Sequence, residues 1–421
     1  MTSPLRHSET SHQTTLTPVT VQGWPYGQLD VGDLRARGWR PTAFREFVLK
    51  VHQRCNLACD YCYVYELADQ TWRERPALMS EDTWQAAARR IAEHVERHRL
   101  TKIGLVLHGG EPLLAGADRL VRLAEELRAA MPEGCEVTVG MQTNGIMLAE
   151  PTLDRLTRAG VSIGVSVDGS PEDHDRHRRY RNGDGSYAAV DRALTLLNQP
   201  RYRGSFAGLL CTVDPGSDPV ECYEALLHHS PPGIDLLLPH ANWANPPARP
   251  PDRGPTPYGD WLSAVFDRWY GAPRQETRIR LFEEVMQLLL GGSSRSEQVG
   301  LSPVAVAVVE SDGAIEQVDS LKSAYSGACA TGLNVRSDTF DAALDHPGVV
   351  ARQIGAAALC DDCVACPVHH VCGAGHYAHR YRPDTGFRNR SVYCADLQRL
   401  IGHVHRRLAD DLSVLRAGSG R

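Results

Sequence analysis

Cys55-Asn56-Leu57-Ala58-Cys59-Asp60-Tyr61-Cys62 sets three thiols in a C-x3-C-x2-C spacing, directly after the apolar run from Phe44 to Val51. A cubane iron–sulfur cluster normally takes four cysteine thiolates, so a loop offering three leaves one iron open to a small molecule. Three plainer readings compete: a structural zinc site, a disulfide framework, and chance clustering of buried thiols. Zinc motifs pair one C-x2-C with a second Cys/His pair nearby, yet no Cys or His follows Cys62 until His94. The strand-like run before the loop and Tyr61 just ahead of the last thiol favour the cluster.

Composition sets the outer bounds. A chain of 421 residues with 42% hydrophobic content is long enough for one large domain and a smaller one. A net charge of −6 argues against a nucleic-acid partner, which wants a basic face. The expected partner is a small molecule or a peptide. Twelve cysteines without an N-terminal apolar h-region read as metal ligands in a reducing cytoplasm. No run approaches the ~20 apolar residues of a membrane helix, so a cytoplasmic protein with no membrane partner is expected.

Residues 1–22 are rich in Ser, Thr, His and Pro and read as a disordered tail. Residues 23–43 carry Trp24, Tyr26, Leu29 and Trp39 and read as an N-terminal strap along the core. From Phe44 on, short β-rich runs alternate with amphipathic stretches, the pattern of a parallel sheet wrapped by helices. Strands are expected over 45–52, 102–108, 136–142, 162–167, 205–213 and 234–239. Helical spacing covers 81–98, 118–131, 151–159, 187–198 and 219–229 between them, then 257–270 and 275–290.

The three-cysteine loop resembles that of the radical S-adenosylmethionine (SAM) enzymes, C-x3-C-x-aromatic-C, and the resemblance recurs along the chain. It implies an α/β fold, a partial (β/α)6 TIM-like barrel over 44–240. It also implies a [4Fe-4S] cluster on Cys55, Cys59 and Cys62 whose open iron chelates SAM. One-electron reduction by an external reductant then releases a 5′-deoxyadenosyl radical, and the cofactor carries the hard chemistry. In such barrels the reactive residues sit at the C-terminal ends of the strands, where the remaining motifs fall.

His108-Gly109-Gly110-Glu111-Pro112 closes the second strand. Its glycines permit close backbone approach, and the family's G-G-E-P strip binds the SAM amino group, which assigns Gly109, Gly110 and Glu111 to the cofactor. Gln142-Thr143-Asn144-Gly145 and Ser166-Val167-Asp168-Gly169 follow the third and fourth strands. They are ordinary turn sequences in themselves. The resemblance makes Thr143, Asn144, Ser166 and Asp168 contacts to SAM, together with Tyr61. His174-Asp175-Arg176-His177-Arg178, ahead of Gly183-Asp184-Gly185-Ser186-Tyr187, matches an H-D-x-x-R…G-x-G-S-aromatic stretch. Arg178 then takes the SAM carboxylate, a task suited to guanidinium, with Arg176, Arg179 and Arg181 solvated. The Pro-rich segment after residue 240 reads as a linker with bridging helices over 241–300, and His240, Asn242 and Trp243 are placed to line a substrate entry.

Near the C-terminus stand Cys360, Cys363, Cys366, Cys372 and Cys394. The spacing of Cys363, Cys366 and Cys372, with Cys394 as a distant fourth ligand, satisfies one closed cubane. Zinc in the same thiolates is the alternative. This region resembles a SPASM-type auxiliary-cluster domain, expected over 301–398 and followed by a C-terminal helix over 399–421. It departs from the family pattern at His376 and Val318, where cysteines are expected. Only Cys329, Cys360 and His376 remain to replace them, so at least one auxiliary [4Fe-4S] cluster is expected, and one is favoured over two. Cys135, Cys211 and Cys222 read as buried core thiols. Asp319 stands next to the lost cysteine and matches the family's general base; a solvated turn acid is the plainer reading.

Taken together, TAFREFVLKVHQRCNLACDYCYVYE, LLLPHANWANPP, DGAIEQVDSLKSAY and AALCDDCVACPVHHVCGAGHYAHRYRPDTGF resemble FxsB-type radical SAM/SPASM peptide maturases. That implies a ribosomally synthesised precursor peptide as substrate. The product is a carbon–carbon cyclophane joining an aromatic ring to the Cβ two residues on. A formylglycine-generating maturase, a thioether-forming one, and a non-catalytic peptide-binding scaffold are the competing readings.

Overall fold

The computed structural model describes residues 23–418. The tail expected over 1–22 lies outside the described residues, as does the end of the expected C-terminal helix. Six parallel strands form the frame: β1 (Glu46–His52), β2 (Lys102–Gly109), β3 (Glu136–Thr143), β4 (Val161–Ser166), β5 (Phe206–Thr212) and β6 (Gly233–Leu237). Each neighbours the next in order. The connecting helices are α1 (Glu81–His98), α2 (Ala117–Ala130), α3 (Glu150–Arg158), α4 (Pro171–His177), α5 (Tyr187–Leu197) and α6 (Pro219–His228). Parallel strands joined in order by helices give the parallel sheet wrapped by helices that the alternating pattern predicts.

Helix α1 shows how sequence makes each unit. Ser80 caps its start by accepting from the Thr83 amide, and Arg99 ends it in a left-handed conformation. Trp84, Ala87, Ala88, Ile91 and Val95 recur at three- and four-residue steps and are buried on the sheet. Each large apolar side chain buried this way contributes about 1.5–3 kcal/mol.

The sheet does not stop where the barrel does. β7 (Arg278–Ile279) pairs with β6 at one edge. At the other edge β8 (Val306–Val309) lies parallel to β1, and β9 (Ala314–Glu316) and β10 (Ala330–Asn334) continue it antiparallel. The first part of the segment expected as a separate domain from 301 is thus built onto the barrel sheet. These strands are three to five residues long, too short to show a periodicity of their own.

Helices α7 (Pro257–Tyr270) and α8 (Arg280–Leu289) and the C-terminal helix α9 (Cys394–Gly418) pack together beside the sheet. α9 begins at Cys394, five residues earlier than the expected 399. The strap docks through Trp24, which is buried with Leu321, Tyr377 and Phe387 in a second, smaller core. The Pro-rich segment after β6 is tied down as well: the Asn242 amide donates to the Ser323 carbonyl at 2.9 Å, and the Trp243 indole donates to the Arg390 carbonyl at 2.7 Å. Of the thiols read as core, Cys211 and Cys222 are buried, whereas Cys135 is partly exposed.

Candidate active site

The three-cysteine loop leaves β1 at its C-terminal end and is held from several sides. Ala58 donates its amide to the Arg179 carbonyl at 2.8 Å, and His177 Nδ1 lies 3.0 Å from the Asp60 carboxylate. The Asn144 amide reaches the Asn56 side chain at 2.8 Å and Cys55 Sγ at 3.7 Å. Burial raises the pKa of all three thiols, and Cys62 adds to the rise at Cys55 and Cys59. Burial is the larger cause, pushing Cys59 up to about 12. Free thiols here stay protonated, but a bound metal inverts that balance by stabilising thiolate.

The predicted contacts to SAM divide into two kinds. Glu111 is wholly engaged inside the protein: its carboxylate accepts from Thr143 Oγ1 at 2.7 Å, the Asn144 amide at 2.8 Å and the Leu113 amide at 3.0 Å. Glu111 and Thr143 therefore brace the G-G-E-P strip against the T-N-G turn, and the strip's backbone is what remains for a ligand. A Cβ at Gly109 would fall on the His52 carbonyl and one at Gly110 on the Tyr65 hydroxyl and Arg54 backbone. The glycines thus first allow the strip to seat against the end of β1. Ser166 accepts from the Gln142 amide at 3.0 Å and is half-buried.

Arg178, Tyr61 and Asp168 form a chain beside the thiols. Arg178 donates to the Tyr61 hydroxyl at 2.8 Å, Tyr61 donates to Asp168, and Asp168 accepts the Thr212 amide at 3.0 Å. Arg178 is buried, yet its Nε has no partner. A buried guanidinium with a free donor is suited to an anionic ligand. Its neighbours are otherwise occupied: Arg176 pairs with Asp173 and Asp214, Arg179 donates to the Asp175 carbonyl and Arg181 to that of Cys55. His174 is structural, accepting the Asp168 amide on Nδ1 and meeting Ser186 through Nε2.

Asp319 opens the turn after β9, and the sheet extension brings it to β1. Lys50, fully buried in β1, donates to Asp319 Oδ2 at 2.6 Å and lies 3.2 Å from His108 Nδ1. The regular β1–β2 register from Glu46 on sets Lys50 opposite His108, and the shift that follows puts His52 opposite Gly109. Asp319 is buried, not the solvated turn acid of the plainer reading. Burial alone would raise its pKa, but Lys50 and then Lys322 hold the carboxyl well below the usual range. Its Oδ1 has no hydrogen-bond partner, the nearest cation being Lys322 Nζ at 3.8 Å. Burial, followed by Lys50, keeps His108 neutral with a pKa of about 4.

Sequence reasoning missed Lys50, His108, Lys322 and Glu310 as members of this network. Lys322 donates to Glu310 at 2.6 Å, and Arg75 lies 3.4 Å from the same carboxylate. The available signal was a lysine inside an otherwise apolar strand, a placement too costly without a partner.

The C-terminal thiols Cys363, Cys366, Cys372 and Cys394 line one cavity of about 60 Å³. Cys360 is a fifth thiol at its margin: burial first, then a hydrogen bond with Cys360, pushes Cys363 up to about 12. The residues left over for a second auxiliary site go to different neighbourhoods. Cys329 packs in the core with Leu321 and Ala378, Cys360 packs with Cys363, and His376 lies with His240 and His379.

Residues 49–216 match the model of the Radical SAM superfamily. The donor set fits what that class binds: three thiols on one loop, a buried arginine with a free donor, and a seated G-G-E-P strip. Residues 49–216 therefore form a radical SAM domain, of the kind that holds a [4Fe-4S] cluster and SAM. The chain is similar to the cysteine-type anaerobic sulfatase-maturating enzyme of Clostridium perfringens, 26% identical over 274 residues, covering 63% of this chain and 71% of the relative. It is 23% identical to the serine-type enzyme of Bacteroides thetaiotaomicron over 308 residues, covering 68% of this chain and 72% of the relative. Its fold matches native anSMEcpe with bound AdoMet and Cp18Cys peptide with a TM-score of 0.73, at 20% identity over 88% of this chain and 99% of that one. Streptococcus suis SuiB bound to precursor peptide SuiA matches with a TM-score of 0.59, at 13% identity over 86% and 78%. Among the described residues no helix is long and apolar enough to cross a membrane.

Proposed function

We infer that this chain is a peptide maturase that joins an aromatic ring carbon to the Cβ two residues on in a ribosomally synthesised precursor peptide. The observation that carries the reading is Asp319: a buried carboxylate, held ionised by Lys50, with one oxygen left unpartnered. Relatives named for sulfatase maturation and a fold shared with a precursor-peptide complex support a peptide substrate.

Cys55, Cys59 and Cys62 would hold the open-iron cluster, and Arg178, with the backbone of Gly109 to Glu111, would hold SAM. When bound, these groups supply a 5′-deoxyadenosyl radical, which removes a hydrogen atom from carbon. Joining Cβ to a ring also requires the ring to lose one proton and one electron. Asp319 Oδ1 is the acceptor for that proton. A carboxylate this acidic is a weak base, which suffices because a ring carbon restoring aromaticity is a strong acid. Lys50 holds the carboxylate in place through Oδ2, leaving Oδ1 to take the proton, and also reaches His108. Cys363, Cys366, Cys372 and Cys394 would hold an electron acceptor.

A second reading, oxidation of a Cys or Ser to formylglycine, is favoured by the sulfatase-maturating relatives, which align over most of this chain. Co-expression with a precursor peptide followed by tandem mass spectrometry separates them. A cyclophane suppresses backbone fragments between its ends, whereas an aldehyde captures a hydrazine reagent. Hydrazine capture of the product contradicts the cross-linking reading.

A further inference from the structure

His240, at the end of β6, meets His376 and His379 from a turn more than a hundred residues later. Their ring centroids form a nearly equilateral triangle, 5.3 Å for His240–His376, 5.1 Å for His376–His379 and 5.9 Å for His240–His379. One nitrogen from each lies within 4.8 Å of the other two. A buried imidazole normally satisfies both its nitrogens. His379 is only 3% exposed and satisfies neither, and His240 Nδ1 is buried without a partner.

Leaving several buried ring nitrogens unpaired costs about 1–3 kcal/mol each, and a shared ligand removes that cost. A metal ion does so better than water, because imidazole nitrogens carry lone pairs that a Lewis acid can take. His376 Nδ1 accepts the Ala378 amide at 3.3 Å, a long contact that the ring gives up, its proton moving to Nδ1, when Nε2 takes a metal ion. Glu297 Oε2 stands 3.7 Å from that Nε2 and is fixed by a double hydrogen bond from Arg352, 2.7 Å on each arm.

Among the described residues, the two other groups of acidic and imidazole residues have their carboxylates paired with cations, although both His94 nitrogens and Asp319 Oδ1 lack hydrogen-bond partners. Glu310, Glu316 and Asp319 are neutralised by Lys50, Lys322 and Arg75. Asp341, between His94 and His98, already pairs with His98 and Arg97.

We propose that His240, His376 and His379 bind a single divalent transition-metal ion of the zinc class. Three imidazoles select zinc and its neighbours over calcium or magnesium, and a three-ligand site keeps its fourth position for water or a substrate oxygen. Tetrahedral zinc at ~2.0–2.1 Å from each nitrogen would draw the three atoms together by about an ångström, within reach of ring rotation. The site adjoins the active centre: the His240 ring stands edge-on to Tyr63 at 4.6 Å, and Tyr63 follows Cys62.

The test is titration of the cluster-reconstituted full chain with Zn2+ alone, followed by X-ray absorption at the zinc edge and iron and sulfide analysis. About one tightly held zinc per chain, with a nitrogen/oxygen shell at ~2.0–2.1 Å, is expected. In His240→Gln and His376→Ala, zinc affinity is expected to fall about tenfold or more while iron and sulfide stay unchanged. Absence of tightly bound zinc, a sulfur shell at ~2.3 Å, or unchanged zinc affinity in the two variants overturns the proposal. Should a variant lose its iron as well, the shell measured in the unsubstituted chain decides.

Discussion

Asp319 and Lys50 are the residues on which the chemistry turns, and each predicts a separable defect. Asp319→Asn keeps the shape and removes the charge, so cross-linking is expected to fall by about 10²–10⁴-fold while peptide-dependent SAM cleavage persists. Quantifying 5′-deoxyadenosine and product in the same reaction checks the uncoupling, and equal losses of both would remove Asp319 from the proton step. Lys50→Met leaves a buried carboxylate unpaired, which costs about 3–5 kcal/mol, readable as a lowered unfolding midpoint. Arg178→Lys forfeits the planar donor pair, and the weakened charged hydrogen bond is expected to raise the SAM KM about ten- to a hundredfold. At this scale the sequence was half legible. Cys55, Cys59, Cys62 and Arg178 stand in local motifs, and the role proposed for each follows from the family those motifs resemble. The partners of Asp319 lie on strands that come together only when the sheet closes, and nothing near Lys50 in the sequence announces them.

Among the elements, the three-cysteine loop and helix α4 depend on each other through His177. The Asp214 hydrogen bond first, opposed by burial and helped by Asp60, raises the His177 pKa to about 9. A histidine whose folded pKa lies above its unfolded value near 6.5 contributes stability fully below pH 6.5 and loses it as pH rises through 9. Hydrogen exchange of the loop amides around Asp60 is therefore expected to quicken between pH 6.5 and 9 beyond its intrinsic acceleration, and His177→Ala is expected to abolish that excess. Gly110→Ala sets a methyl against the Tyr65 hydroxyl and the Arg54 carbonyl. Backbone must yield there, at about 1–3 kcal/mol, and the loop is expected to hold its cluster less firmly. The barrel elements were legible because each carries its own period: the expected helix over 81–98 coincides with α1, and the expected strands fall within one or two residues of those formed. β8, β9 and β10 were not legible, being short strands whose identity comes from the edge of β1 they complete.

At the scale of the whole molecule, one continuous sheet links the thiol loop after β1 to the carboxylate after β9. The proposed radical centre and the proposed proton acceptor are thereby fixed to the same sheet. On the proposed reading a substrate must reach both in one binding pose. The most direct measurement uses a precursor peptide deuterated at the Cβ two residues after its aromatic residue, incubated anaerobically with reconstituted enzyme, SAM and a one-electron reductant. The account predicts deuterium in 5′-deoxyadenosine and a dehydrogenated peptide that resists fragmentation across the ring and ignores hydrazine. Unlabelled 5′-deoxyadenosine, or a product that hydrazine captures, would contradict it.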